Sequence, residues 1–91
     1  MIINPLQIVN ELFKDKYDYS FGEYYPSCIT INVSKKVERG QTGVFLFGGF
    51  KYKVMYSIAE NRVLYISTSN NQEDLDEVLS ILPEGAHIVI R

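Results

Sequence analysis

Ninety-one residues, 46% hydrophobic and 22% charged, with a formal net charge of −2, suit one globular domain and leave no room for a second. A single cysteine, Cys28, excludes an internal disulfide and a thiolate zinc cluster, and no apolar run approaches the ~18 residues of a membrane-spanning helix. The first residues lack the charged, apolar, then small-residue order of a secretory signal, so a cytoplasmic protein with no membrane partner is expected.

The first helix is expected at about residues 5–16. Asn4 is a good N-cap, Pro5 sits where a missing N–H does no harm, Gln7 follows the cap by three residues, and Ile3 can staple to Ile8. Leu6, Val9, Leu12 and Phe13 then recur at helical spacing. Over residues 17–25, Tyr17, Tyr19 and Phe21 alternate with polar residues, which fits either a short strand or an ordered loop ended by Pro26. The aromatics concentrate here and around Gly48-Gly49, so the two segments are expected to pack together as half-buried core.

Residues 28–34 form the cleanest strand, with Ile29, Ile31 and Val33 on one face and Cys28, Thr30, Asn32 and Ser34 on the other. A polar connection follows. In it Arg39-Gly40-Gln41-Thr42-Gly43 has a GxxG spacing, but it precedes a strand and not the helix N-terminus that a phosphate loop needs. Gly48-Gly49 then predicts a two-residue hairpin between strands at 43–47 and 50–59, because glycine takes positive φ without steric cost. That register sets Phe47 against Phe50, Phe45 against Tyr52 and Gly43 against Val54, with Lys51 and Lys53 on the opposite face.

A turn at Glu60-Asn61 leads to a strand at 62–68. Asn70 or Asn71 caps a helix over 71–82, with acids in the first turn at the positive end of the dipole and Leu75, Val78, Leu79 and Leu82 on one face. Pro83 and Gly85 stop it before a last strand at 86–90, and the strand-helix-strand length is that of a parallel crossover. The expected fold is α+β, a mainly antiparallel sheet of about five strands with two helices on one face, in the order α-(β)-β-β-β-β-α-β. The helix-strands-helix succession resembles that of double-stranded RNA-binding domains, but an acidic second helix would repel a duplex.

Chemistry is sparse. His87, the one imidazole, lies in a strand without a motif; Cys28 heads another; and Glu73-Asp74-Leu75-Asp76-Glu77 lacks the glycine and alternating ligands of a calcium loop. No catalytic, cofactor or metal site is expected, and the protein is not expected to be an enzyme. Charge is segregated: residues 35–69 carry six Lys or Arg against Glu38 and Glu60, and residues 70–91 carry five acids against Arg91. The leading expectation is a non-enzymatic protein-binding module. Size and an AT-rich-type composition fit a phage or mobile-element inhibitor of a host nuclease or defence complex, of which phage anti-CRISPR proteins are one class. Its partner-binding candidates are the acidic set Glu73, Asp74, Asp76 and Glu77 and the basic set Lys51, Lys53, Arg39 and Arg62. The alternatives are a nucleic-acid-binding protein using the basic hairpin, with Phe50 or Tyr52 stacking on bases, and a homo-oligomer paired through a last strand at an open edge.

Overall fold

Asn4 caps the first helix through its side chain, which accepts the Leu6 N–H at 3.0 Å, and α1 runs Pro5–Leu12. The computed structural model describes residues 4–35 and 50–91. α1 stops short of the expected residue 16 because Lys14 and Asp15 both take left-handed φ, 56° and 59°. That reversal brings Tyr17 back against Phe13, edge to face, with ring centroids 5.5 Å apart.

Five strands follow: β1 Tyr17–Tyr24, β2 Cys28–Lys35, β3 Tyr52–Ser57, β4 Arg62–Thr68 and, after α2 at Gln72–Ile81, β5 His87–Ile90. The spatial order is β1-β2-β3-β4-β5, antiparallel through β4, with β5 added parallel to β4. The expected α+β class and element order hold, and the segment 17–25 that sequence left between strand and loop is a strand.

The hairpin register needs correction. Tyr52 and Val54 face Val33 and Ile31 of β2, while Val54 also faces Ile66 of β4. Both ladder edges of β3 are therefore taken by β2 and β4, leaving no edge for a partner from 43–47. The remainder of that expectation, Gly48-Gly49 included, lies outside the described residues.

Cross-strand register lines up Ile31, Val54, Ile66 and Ile88 on one face. Both helices cover this face. α1 contributes buried Val9 and its C-cap residue buried Phe13, α2 contributes buried Val78, and the sheet adds Ile29, Val33, Tyr56 and Val63. Phe13 stacks on Tyr52 at 5.3 Å, and Tyr17 meets Tyr52 edge to face at 6.0 Å. The expected packing of the two aromatic segments is thus realised by Tyr17 and Tyr52.

A bulge in β1 between Phe21 and Tyr24 contains Gly22, where any Cβ would strike Thr30 Oγ1. The same Thr30 hydroxyl accepts the Glu23 N–H at 2.6 Å, replacing a ladder bond that the bulge removes. α2 is capped by Asn71, whose side chain accepts from the Glu73 and Asp74 N–H groups at 2.9 and 3.3 Å.

Candidate functional site

The two helices leave a cleft of about 320 Å³ between the end of α1 and the flank of α2, with Leu12, Phe13 and Ile81 among its apolar lining and Lys14, Glu73 and Ser80 among its polar lining. Glu77 anchors it. Its Oε1 accepts from the hydroxyls of Tyr17 and Tyr52, both at 2.5 Å, and its Oε2 meets Lys16 Nζ at 3.0 Å. Burial opposes ionisation of this carboxyl, but the bonds from Tyr17, Tyr52 and Lys16 outweigh it and hold its pKa down to about 2. Burial, then hydrogen bonding to Glu77, pushes both tyrosines well above the usual phenol range. These groups are held far from neutrality, the reverse of what proton transfer at pH 7 requires, and they work as a clasp joining α2 to β1 and β3.

Lys51 closes the same end of the molecule. Its Nζ lies 3.4 Å from Asp74 Oδ1 and stands 5.5 and 5.6 Å from the ring centroids of Tyr17 and Tyr52. The structure therefore joins one member of the expected basic set to one member of the acidic set. Asp74, which also accepts from Ser69 Oγ at 2.8 Å, and Glu77 turn inward, whereas Glu73 and Asp76 are exposed. Lys53 Nζ pairs with Glu23 at 3.5 Å and Arg62 with Glu60 at 3.4 Å. Arg39 lies outside the described residues. Tyr52 is 0% exposed, so no base can stack on it, and Phe50 already has the Lys53 ammonium and the Arg91 guanidinium within 5.2 and 5.3 Å of its ring centroid.

A different surface emerges at the β1–β2 turn. Phe21, Tyr24 and Tyr25 are 40, 70 and 45% exposed, and the rings of Phe21 and Tyr24 lie 6.0 Å apart. The turn that presents them is held by the Tyr25 N–H donating to the Cys28 carbonyl at 2.9 Å. The Tyr25 hydroxyl donates to Glu23 at 2.7 Å, and this bond, then that from Lys53, keeps the Glu23 carboxyl below its ordinary range. The sequence reading took the aromatics of this segment as half-buried core, from their concentration here and from the alternation of Phe21 with Tyr17 and Tyr19. The signal against it was Gly22, which interrupts the alternation with a bulge, and Pro26, which carries the chain off the sheet.

No family model, curated protein or solved structure matches the chain.

Proposed function

We propose that the protein is a non-enzymatic module that binds another protein, using the aromatic corner of Phe21, Tyr24 and Tyr25. The observation behind this reading is the exposure of three large aromatics within five residues on a hydrogen-bonded turn. Aromatic side chains supply large contact area at low entropy cost and dominate interface energetics, and a soluble protein gains nothing by leaving such a group in water. A small inhibitor of a nucleic-acid enzyme is the form of this reading favoured by size and by the acidic flank of α2, where Glu73 and Asp76 would contribute.

The test is affinity capture from the native host's lysate with the wild-type protein and with a Tyr24→Ala, Tyr25→Ala double variant. Capture should fall at least tenfold with the fold intact by circular dichroism. Undiminished capture by the double variant would overturn the aromatic corner, and loss of capture only with Glu73→Lys and Asp76→Lys would move the interface to α2.

A further inference from the structure

Backbone strain and unpaired charge meet at the cleft between α1 and α2. Lys14 and Asp15 both hold left-handed φ, 56° and 59°, a conformation that glycine takes freely and an L side chain takes at a cost. Three backbone bonds keep the turn: the N–H groups of Lys14, Asp15 and Lys16 donate to the carbonyls of Glu11, Asn10 and Phe13 at 3.2, 3.0 and 3.2 Å. Its effect is to set Lys14 and Lys16 on one wall of the cleft, with Glu73 and Glu77 of α2 on the other. Strain of this kind concentrates at ligand clamps. Lys16 and Glu77 close on each other at 3.0 Å, and Lys51 is taken by Asp74 at 3.4 Å. Lys14 and Glu73 are exposed and have no ion-pair partner among the described residues. One ammonium and one carboxylate are thus left over at a cleft whose other charges cancel.

We propose that this cleft binds a free α-amino acid with an apolar side chain, its carboxylate on Lys14, its ammonium on Glu73 and its side chain against Leu12, Phe13 and Ile81. Charge complementarity selects the ligand. A simple anion would meet Glu73, a simple cation would meet Lys14, and an uncharged apolar molecule would strip water from both and pair neither. A zwitterion pairs both and adds no net charge. The cleft, about 320 Å³, stands at the small end of ligand sites, which run from roughly 300 to 1,000 Å³, and so suits a molecule of this size. Its floor is preformed. Phe13 is fixed by stacking on Tyr52 at 5.3 Å and by edge-to-face contact with Tyr17 at 5.5 Å, and Glu77 holds both tyrosine hydroxyls. Little ordering is therefore left to oppose binding.

Calorimetric titration of the full chain with L-phenylalanine and with L-leucine should give saturable one-to-one binding. Hydrocinnamate, which lacks the ammonium, and phenethylamine, which lacks the carboxylate, should bind at least tenfold more weakly. Lys14→Met should weaken phenylalanine at least tenfold and leave phenethylamine unchanged, whereas Glu73→Gln should weaken phenylalanine as much and leave hydrocinnamate unchanged. Lys14→Gly should also lose phenylalanine yet raise the urea midpoint, since it relieves the strained turn; this separates loss of the ammonium from loss of the fold. No saturable binding of either amino acid overturns the proposal; so does equal affinity for an analogue lacking one charge, or wild-type affinity in either Lys14→Met or Glu73→Gln. The titration involves neither Tyr24 nor Tyr25, so it and the capture experiment fail separately.

Discussion

Glu77 illustrates how far a residue's role departs from its neighbours' in sequence. It stands in a run of four acids whose first-turn position explains Glu73 and Asp74 by the helix dipole, and nothing local separates it from Asp76. What separates them is rotation about α2: Asp76 points to solvent and Glu77 to Tyr17 and Tyr52, partners that only the completed sheet provides. Replacing Glu77 by alanine strands two buried hydroxyls and should cost about 2–3 kcal/mol in urea unfolding. The carboxyl is depressed from 4.5 to about 2 on folding, so its stabilisation is complete above pH 4.5 and is lost as pH falls toward 2. That amounts to something on the order of 3 kcal/mol. The raised tyrosines act with the opposite sign, their contribution holding below pH 10 and declining above it. Thermal melts across pH should show a plateau between these limits, and Glu77→Gln should flatten its acid side.

Element boundaries were legible where a side chain acts on its own backbone. Asn71 accepts two first-turn N–H groups, and Asn71→Ala should cost about 1 kcal/mol by chemical denaturation. The caps, the turn at Asn61 with φ 53° and the two amphipathic helices were all readable because the interactions that set them lie within a few residues. The pairing of β3 with β4 and the parallel crossover to β5 were legible too, but the other neighbour of β3 was not. Gly48-Gly49 is a sound local signal for a hairpin, yet β3 spends its free edge on β2, a choice fixed by Ile31 and Val33 packing beside Val54 and Tyr52 under α1. The end of α1 was also hidden, since Lys14 and Asp15 carry none of the glycine that usually marks a left-handed stop. Within β1, Gly22→Ala should cost about 1–3 kcal/mol, because the new methyl meets Thr30 Oγ1 and displaces the hydroxyl that holds Glu23.

At the scale of the molecule, charges far apart in the chain meet in space among the described residues. Lys51 folds onto Asp74, Lys16 onto Glu77 and Lys53 onto Glu23, so segment sums could not reveal which charges remain free. Of the residues that a nucleic-acid platform would use, Tyr52 is buried, Lys51 and Lys53 are paired with carboxylates, and Phe50 is half-buried beneath Lys53 and Arg91. Fluorescence anisotropy with single-stranded oligonucleotides at low salt should show no binding with the steep salt dependence of several phosphate contacts. The class and element order were legible because hydrophobic periodicity reports them; the aromatic corner was not, because exposure depends on where the helices run out of sheet to cover. The sheet order also bears on how the chain is made. β1 to β4 meet their partners as they are synthesised, but β4 carries buried Val63 and Ile66 on an edge that stays open until α2 has crossed over and β5 has docked. A nascent chain halted before residue 87 would present that apolar strand uncapped, and should aggregate where the full sequence does not.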